Sequence, residues 1–459
     1  MSVFSLSNLK KTWYYLQKNG IRNAVWAVLE RIGQEQEVYT WQEPDEKTLS
    51  FQREHSASLR ISIVVPAYRT KKEHLEAMLN SVSRQSYPHW ELIVADAGGT
   101  AESVQAWAKK NGICLRKAAD ASNLAEWKDQ SIMLCTLSEN KGISANTNAG
   151  IELAAGDAVG LLDHDDLLTA NALWEMADCL EKEKKRGKQK LVLFSDEDKC
   201  DGAASRFYEP NFKPDFDGEL LLTNNYICHF TVIETAFLKE LKLRSGYDGA
   251  QDYDLMLRAY AAGGQFVHVP KVLYHWRCHE ASTASNPQSK RYAYEAGQRA
   301  LEDYCLRKGW KATVSGLKHL GFYREDYEDS VFCQRPEIGI WAKPLPGDRD
   351  VFGIRHPKGF LVSGLYENDG SMRYAGLRKG YSGPMHRAAL QQSAPAADLR
   401  SMEVCSALKE RYAQTIAELK EACQGLPTAA QETKILQKSM EFCKEATAAG
   451  YGILWDPQA

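Results

Sequence analysis

The sequence predicts an α/β fold in which a mainly parallel sheet is covered by helices on both faces. From residue 59 onward, short apolar runs typical of buried strands alternate with segments whose apolar residues recur at helical spacing. Polar clusters directly follow several of these runs, at the position where ligands bind in such sheets. A chain of 459 residues is too long for one ordinary core, so two or three domains are expected.

The predicted elements follow one another closely between residues 59 and 200. Strands are expected at residues 61–65, 91–95, 132–137, 158–162 and 191–194. Helices are expected over residues 144–155 and 170–183, and a further helical stripe consists of Leu75, Met78, Leu79 and Val82. Strands that alternate with helices in this way favour parallel pairing in a sheet that is buried on both faces.

Composition and charge exclude several classes of protein. Hydrophobic residues make up 44% and charged residues 25%, as in soluble globular proteins. The 57 basic and 60 acidic residues give a net charge of −3, so no overall field recruits nucleic acid and no nucleic-acid partner is expected. Eleven scattered cysteines without a Cys-x-x-Cys spacing argue against a disulfide framework or zinc site and indicate a reducing, cytoplasmic environment.

The first 58 residues are predicted to form amphipathic helices followed by a linker. Residues 1–31 contain two apolar stripes at helical spacing, and residues 40–58 are polar and include Pro44. The apolar faces are expected to dock on the protein's own core. Peripheral association with the inner face of an anionic membrane is the alternative, since the stripes carry basic residues. The chain lacks an apolar run of about 18 residues and a signal-peptide pattern, so we expect no transmembrane segment.

Three carboxylates lie within four residues at the end of one predicted strand. Asp163, Asp165 and Asp166 follow the apolar run 158–162. Carboxylates this close repel one another unless a cation or strong donors neutralise them. An Asp-x-Asp pair at a strand end suits Mg²⁺ or Mn²⁺, which would mostly hold a phosphate. The alternative is a polar turn whose aspartates cap the next helix.

Nine short motifs resemble those of one enzyme family, whereas Gly-x-Gly-x-x-Gly and P-loop patterns are absent from the sequence. Segments 65–68, 93–96, 139–144 and 162–166 are similar, in order and spacing, to motifs of family 2 glycosyltransferases. These are inverting, metal-dependent enzymes of the Rossmann-like GT-A fold that use nucleotide-sugar donors. Segments 195–199, 213–216, 225–227, 251–255 and 273–277 resemble the branch that builds bacterial surface polysaccharides such as O-antigen. The resemblance covers about residues 59–315.

The resemblance implies a set of donor-binding residues. They are Pro66, Ala67, Tyr68 and Asp96 around the base, Lys141 and Asn148 toward the phosphates, and Asp163 at the ribose or at metal-bound water. Each also has an ordinary interpretation: Asp96 as a turn residue, Lys141 as an exposed loop residue, and Asn148 as a helix cap. UDP- or dTDP-sugars are the expected donors. Ala97 replaces an aspartate and Arg69 an asparagine that relatives commonly carry, so the identity of the nucleotide stays open.

The resemblance also implies the metal ligands and the catalytic base. Asp163, Asp165 and His275 are expected to bind Mg²⁺ or Mn²⁺, although a lone histidine is more often a structural residue. Inversion requires a base on the face opposite the leaving group, and Asp252, at the start of a predicted helix, is expected to supply it. Its ordinary interpretation is a helix cap, and Asp254 is the competing base.

The C-terminal region, residues 321–459, is predicted to be a smaller α+β region. Residues 259–263 align with residues 446–450, and on this alignment Ser439 takes the place of Asp252. We therefore expect a truncated, inactive second transferase half. Chance similarity of alanine-rich helices is the alternative.

The complete prediction is a cytoplasmic glycosyltransferase in three parts. Residues 1–58 form the N-terminal segment, residues 59–320 the GT-A domain, and residues 321–459 the C-terminal region. The domain is expected to transfer a hexosyl or deoxyhexosyl group to a glycan or polyprenyl-linked acceptor. The alternatives are an inactive protein of the same fold that binds nucleotide sugars or glycans, and a phosphotransferase with Asp163 as its nucleophile.

Overall fold

A computed structural model describes residues 39–118, 128–278, 291–316, 321–342, 364–365, 402–422, 438 and 441–455. The helices predicted within residues 1–31 lie outside these ranges. The chain divides into two compact units, each described separately below. The large unit contains residues 38–216 and 225–304, and the C-terminal unit contains residues 217–224 and everything described from residue 305 onward.

Ten strands build the sheet of the large unit. They are β1 (Ile61–Ala67), β2 (Trp90–Asp96), β3 (Cys114–Lys117), β4 (Ser131–Thr136), β5 (Ala158–Leu161), β6 (Leu167–Leu168), β7 (Leu191–Cys200), β8 (Phe207–Asn211), β9 (Thr231–Glu234) and β10 (Gln265–Arg277). Their order is β3-β4-β2-β1-β5-β9-β7-β10-β6, and β8 pairs with β7. All neighbours from β3 to β5 are parallel, as are β7 and β10, whereas β9 is antiparallel to both its neighbours. The predicted α/β class with a mainly parallel sheet is confirmed.

Helices accompany this sheet along the chain. They are α1 (Glu46–Glu54), α2 (Lys72–Ser83), α3 (Ala101–Asn111), α4 (Ile143–Leu153), α5 (Ala172–Lys185), α7 (Thr235–Leu241), α8 (Gln251–Ala261) and α9 (Arg291–Lys308), and α6 (Gly218–Thr223) belongs to the C-terminal unit. The stripe that predicted α2 is fully buried and lies in the same apolar cluster as Ile61, Ile63 and Val65 of β1. A helix that buries such a stripe gains about 1.5–3 kcal/mol per large apolar side chain.

The prediction of a linker over residues 40–58 is wrong for residues 46–54, which form helix α1. The Asp45 side chain accepts a hydrogen bond of 2.7 Å from the Thr48 backbone N–H. This cap satisfies one of the free N–H groups at the helix start and explains why a polar segment is helical. Among the helices that the structure describes, none has both the length and the apolar content needed to cross a membrane.

The C-terminal unit contains two small sheets. An antiparallel pair is formed by β11 (Ala312–Gly316) and β12 (Tyr323–Tyr327). A four-stranded sheet contains β13 (Ile338–Ala342), β14 (Gly364–Leu365), β15 (Met402–Val404) and β16 (Gly452–Trp455), in the order β14-β16-β13-β15. Its helices are α10 (Val331–Gln334), α11 (Ser406–Arg411), α12 (Ala413–Ala422) and a further helix over residues 441–448.

Candidate active site

The polar clusters predicted at the strand ends lie at one edge of the sheet. Ala67 at the end of β1 is in register with Asp96 at the end of β2. Strand β5 is parallel to β1 on its other side and ends immediately before the Asp163–Asp166 segment. The carboxyl ends of three adjacent parallel strands therefore converge at the position expected for a ligand site.

Asp163, Asp166 and His229 form a group that fits one metal ion. One ligand atom from each side chain lies within 4.8 Å of the others. Two carboxylates with one imidazole suit Mn²⁺, and carboxylates with water suit Mg²⁺. The donor set therefore fits the cation implied by the family resemblance.

The electrostatics of this group indicate a surplus of negative charge. Burial raises the pKa of the Asp163 carboxyl, nearby His229 lowers it, and the negative charges of Asp165 and Asp252 raise it further. Burial also raises the pKa of Asp166 well above its ordinary value, and Asp165 and Asp163 add to this effect. Crowded carboxylates with raised pKa values are stabilised in the ionised form when a cation binds among them.

Asp166 is held by the last residues of β10. The Tyr274 hydroxyl donates to Asp166 Oδ2 at 2.5 Å, and the Arg277 backbone N–H donates to Asp166 Oδ1 at 2.7 Å. The His229 ring stacks on Tyr274 with centroids 4.6 Å apart. The Tyr274 hydroxyl also accepts from the Asp163 backbone N–H at 3.4 Å. Tyr274 thus contacts all three members of the group and fixes their relative position.

His275 has different neighbours. Its Nδ1 lies 2.5 Å from Asp198 Oδ1, and its ring packs against Trp41 and Phe207 with centroids 5.0 and 4.3 Å away. Adjacent residues in a strand point to opposite faces, so His275 takes the face that Tyr274 does not. The structure does not bring His275 into the group of Asp163, Asp166 and His229, and its buried contacts account for it as a structural residue.

Asp165 also lies outside that group. The Arg277 guanidinium donates to the Asp165 carbonyl oxygen at 2.5 Å, and Asp165 Oδ1 is 3.9 Å from His164 Nδ1. Of the predicted ligands Asp163, Asp165 and His275, the structure places only Asp163 in the three-residue cluster.

Asp252 lies in the first turn of α8, as predicted, and one of its oxygens has two neighbours from the same loop. Asn225 Nδ2 donates to Asp252 Oδ2 at 2.7 Å, and Cys228 Sγ lies 3.5 Å from that oxygen. The buried Lys213 ammonium donates to the carbonyls of Ile227 and His229 and so fixes the loop. Burial raises the pKa of the Cys228 thiol well above its ordinary value, which keeps it protonated.

Asp254, the competing base, is occupied elsewhere. It is 1% exposed, and its carboxylate contacts the guanidinium groups of both Arg244 and Arg258. Arg244 is further bonded to Asp303 at 2.7 Å. A carboxylate enclosed by two arginines is part of the packing of α8, whereas Asp252 remains partly exposed.

The residues predicted around the base have mixed placements. Asp96 is buried, and its two oxygens accept backbone N–H bonds from Gly98, Thr100 and Ala101 at the start of α3. These bonds agree with the interpretation of Asp96 as a turn residue. They give no support to its predicted hydrogen bond with the nucleotide base of the donor. Tyr68 has 39% of its surface exposed, with the Arg69 guanidinium 5.0 Å from the ring centroid, so it offers an aromatic surface beside Pro66 and Ala67.

The residues predicted near the phosphates are both accounted for by local contacts. Lys141 pairs with Glu139 at 3.1 Å, and its side chain is 65% exposed. The Asn148 amide exchanges hydrogen bonds of 2.8 and 2.9 Å with the backbone of Leu243 and thereby ties α4 to the segment before α8. Neither contact excludes a ligand, and neither supports one.

Sequence reasoning missed His229, Tyr274 and Asn225 as residues of the site. Asn225 and Tyr274 stand within motifs that carried the family resemblance but received no role. His229 follows the motif at residues 225–227 by two positions, and a single histidine offers no spacing signal. His229 belongs to the site because it lies near Asp163 and Asp166, which are 63 or more positions away in the sequence.

One family model and several known proteins are similar to part of this chain. Residues 62–241 match the family model described as glycosyl transferase family 2. The chain is 36% identical over 255 residues to an uncharacterised protein, y4gI, of Sinorhizobium fredii, covering 55% of this chain and 26% of that protein. It is 34% identical over 256 residues to the O-antigen biosynthesis protein RfbC of Myxococcus xanthus, covering 56% of this chain and 19% of that protein.

A solved structure of TarS from S. aureus in complex with UDP-GlcNAc is also similar, with a TM-score of 0.41 and 19% identity over 54% of this chain and 67% of that chain. The chain spans about a quarter of the length of the first curated relative and about a fifth of the second. The family match begins at β1, ends with α7, and includes the Asp163–Asp166 segment and the 225–229 loop. Residues 62–241 of this chain are therefore similar to glycosyl transferase family 2.

Proposed function

We propose that the large unit transfers a sugar, with inversion, from a nucleoside-diphosphate donor to a hydroxyl group of an acceptor. One observation carries this proposal. The loop of residues 225–229 contacts Asp252 through Asn225 at one end and contributes His229 to the Asp163–Asp166 group at the other. Five residues span at most about 17 Å, so the base and the cation site lie within the length of one donor and one acceptor.

Asp163, Asp166 and His229 are the residues that would hold the cation, with Asp165 at the neighbouring position in the turn. When bound, Mg²⁺ or Mn²⁺ neutralises the negative charge of the departing diphosphate. Tyr274 and Arg277 keep the Asp166 carboxylate in place for this purpose. The role predicted for His275 as a ligand has less support than that of His229, because its Nδ1 is bonded to Asp198.

Asp252 performs the proton transfer in this proposal. Its carboxylate removes the proton from the acceptor hydroxyl, the freed oxygen attacks the anomeric carbon, and the bond from that carbon to the phosphate oxygen breaks. The nucleoside diphosphate leaves with the bonding electrons, and the configuration inverts. The negative charge of Asp252 raises the pKa of the Asp163 carboxyl, which supports a base and a cation site that share one electrostatic environment.

The donor's base is proposed to lie against the exposed Tyr68 ring, beside Pro66 and Ala67. Asp96 shapes this pocket by fixing the turn that follows β2. Lys141 and Asn148 remain proposals for the phosphate side. UDP- and dTDP-sugars are the proposed donors, with a hexosyl or deoxyhexosyl group transferred.

A glycan or polyprenyl-linked glycan is the proposed acceptor, in the synthesis of a cell-surface polysaccharide at the inner face of the membrane. The support is the similarity to the Myxococcus xanthus relative, which is named as an O-antigen biosynthesis protein. The domain division at residues 58 and 320 and the inactive second half are also proposals.

A panel of nucleotide sugars tests the donor and the reaction. UDP-, dTDP- and GDP-sugars are screened with the full chain for thermal stabilisation in Mn²⁺, in Mg²⁺ and in EDTA, because a ligand that binds the folded state raises the melting temperature. The selected donor is then followed for metal-dependent hydrolysis, and the configuration of the released sugar is read by NMR before it equilibrates. Inverted sugar and loss of activity in Asp163→Asn support the proposal, whereas binding without turnover indicates an inactive binding protein.

Manganese binding distinguishes the two ligand sets. We expect His229→Ala to weaken Mn²⁺ binding to the full chain by about 10-fold or more, and His275→Ala to change it by less than about threefold. Electron paramagnetic resonance of Mn²⁺ measures both without requiring activity. The opposite result restores the set Asp163, Asp165 and His275.

A further inference from the structure

The two carboxylate oxygens of Asp252 differ in their hydrogen-bond partners. Oδ2 accepts the 2.7 Å bond from Asn225 Nδ2 and lies 3.5 Å from Cys228 Sγ. Among the hydrogen bonds of the described residues, none goes to Oδ1. Within the described part of the chain, one oxygen of the carboxylate is thus held by Asn225, and the other is able to accept a proton.

We propose that Asn225 positions Asp252 for proton transfer, by holding Oδ2 so that Oδ1 accepts the proton of the incoming hydroxyl. This inference rests on the proposed role of Asp252 as the base. Asn225 acts through Asp252 and does not touch the reacting atoms, so it is a positioning residue. A charge-assisted hydrogen bond of this length restricts the rotation of a carboxylate and stabilises its ionised form.

The loop that carries Asn225 is built to keep this bond. The Asn225 Oδ1 accepts from the Cys228 backbone N–H at 3.5 Å, so the amide bridges its own loop and Asp252. The buried Lys213 ammonium donates to two carbonyls of the same loop and lies 3.6 Å from Glu197. The orientation of the amide is therefore set by both of its polar atoms: its NH₂ group donates to Asp252 and its oxygen accepts from the loop.

The charged groups around Asp252 bear on the test, because the kcat–pH profile responds to every charge in the site. Asp163 faces it from the end of β5. Glu197 from β7 and Lys213 lie beside the Cys228 thiol. None of these groups is altered by a substitution at Asn225, so a shift reports the change made there: the lost hydrogen bond and, in Asn225→Asp, the added carboxylate.

The test compares Asn225→Asp, Asn225→Ser and the control Asn171→Asp in the full chain. Asn171, the residue before α5, also donates from Nδ2 to a buried carboxylate, that of Glu175 at 3.2 Å. The assay is Mn²⁺-dependent hydrolysis of the nucleotide sugar selected by thermal stabilisation, followed by release of the nucleoside diphosphate over a range of pH. Thermal melting of each variant establishes that it is folded.

We expect Asn225→Asp to lower kcat by about 10- to 100-fold with KM for the donor changed less than about threefold. The midpoint of the acidic limb of the kcat–pH profile should rise by about half a pH unit or more, because the base has lost a donor and gained a neighbouring carboxylate. Asn225→Ser, which keeps a shorter donor, should recover part of the loss. Asn171→Asp should leave kcat within about twofold.

Two outcomes overturn the inference separately from the proposed function. If Asp252→Asn abolishes hydrolysis while Asn225→Asp keeps the wild-type kcat and pH profile, Asn225 does not position the base. If Asn225→Asp lowers kcat only together with its melting temperature and leaves the pH midpoint in place, its role is structural. If Asp252→Asn retains activity, or no nucleotide sugar stabilises the full chain, the proposed function itself is wrong and the inference falls with it.

Discussion

Two regions of the molecule share one pattern of strand pairing. In the large unit the order β9-β7-β10-β6 contains a parallel pair, β7 and β10, with antiparallel strands on both sides. In the C-terminal unit the order β15-β13-β16-β14 repeats this arrangement, with β13 and β16 parallel and the outer strands antiparallel. The two regions therefore reach the same local topology from sequences with little in common.

The helix that leads into the parallel pair is also similar in both regions. Helix α8 is followed by Gly263 in a left-handed conformation and then by β10, and the helix over residues 441–448 is followed by Gly450 in the same conformation and then by β16. Leu255 and Ala259 are buried in the first, and Phe442 and Ala446 are buried at the aligned positions of the second. These positions are the apolar face of each helix.

The regions differ in their charged residues. Asp252, Asp254 and Arg258 of the large unit align with Ser439, Glu441 and Glu445. Glu441 and Glu445 are exposed, whereas Asp254 is buried between arginines. An apolar face and a glycine turn are thus sufficient for this topology, and the carboxylates of the large unit are additional to it. This difference supports the proposal that the C-terminal region is an inactive half.

The largest difference we expect concerns thiol labelling. Burial raises the pKa of both Cys200 on β7 and Cys443 in the C-terminal helix to about 12, whereas Cys333 is exposed. At pH 8 only about one in 10⁴ of such buried thiols is ionised, so iodoacetamide should label Cys333 at least about 10³-fold faster. Peptide mapping after timed labelling measures the rates, which should rise with pH.

Labelling in increasing urea then compares the two regions. We expect Cys443 to react before Cys200, because a four-stranded sheet buries less apolar surface than a ten-stranded one and opens locally at lower cost. Simultaneous labelling of both cysteines would mean that the two regions open as one cooperative unit. The comparison between the regions would then extend to their sequence pattern but not to their local stability.

Sequence reasoning recovered the parts of the fold that depend on local pattern. Strands β1, β2, β4 and β5 lie where apolar runs predict them. The site was harder, because its membership depends on pairing between distant strands. Tyr274 and His275 are neighbours in sequence, and only the pairing of β10 with β6 and β7 determines that Tyr274 reaches Asp166 while His275 reaches Asp198.

The second prediction concerns buried charge near the start of β13. Arg335 and Glu219 form a bidentate ion pair in which both side chains are buried. The negative charge of Glu219 raises the pKa of the Arg335 guanidinium. Removing one partner leaves the other buried and uncompensated, so Arg335→Met should lower the free energy of unfolding of the C-terminal unit by about 3–5 kcal/mol. Calorimetry of the full chain measures the loss.

The double variant Arg335→Met with Glu219→Leu is the control. Replacing both partners by apolar residues of similar size removes the uncompensated charge, so the loss should shrink to about 1 kcal/mol or less. A double variant as unstable as the single one would show that the geometry of the pair, and not its charge, supports β13.

The third prediction tests whether the charge on α8 is structural. Asp254→Asn leaves Arg244 and Arg258 without their carboxylate, at a cost of about 2–3 kcal/mol, reduced because Arg244 is partly exposed and keeps Asp303. The aligned Glu441→Gln, at an exposed position, should change stability by less than about 0.5 kcal/mol. Thermal unfolding of the two full-length variants gives both values. Equal losses would contradict the distinction drawn between the two helices.

The smallest effect is expected at the two glycine turns, where the regions should behave alike. Gly263 and Gly450 have φ values of +76° and +89°, and a Cβ added at either would meet no atom within 4 Å. The cost of Gly263→Ala and of Gly450→Ala is therefore only that of placing alanine in a left-handed conformation, about 1 kcal/mol at each site. Calorimetry resolves the loss in each unit, with Gly187→Ala, another open left-handed glycine, as the control for the backbone effect. A markedly larger loss at Gly263 than at Gly450 would mean that the turn before β10 is under a constraint that its counterpart lacks. The similarity of the two regions would then end at strand pairing.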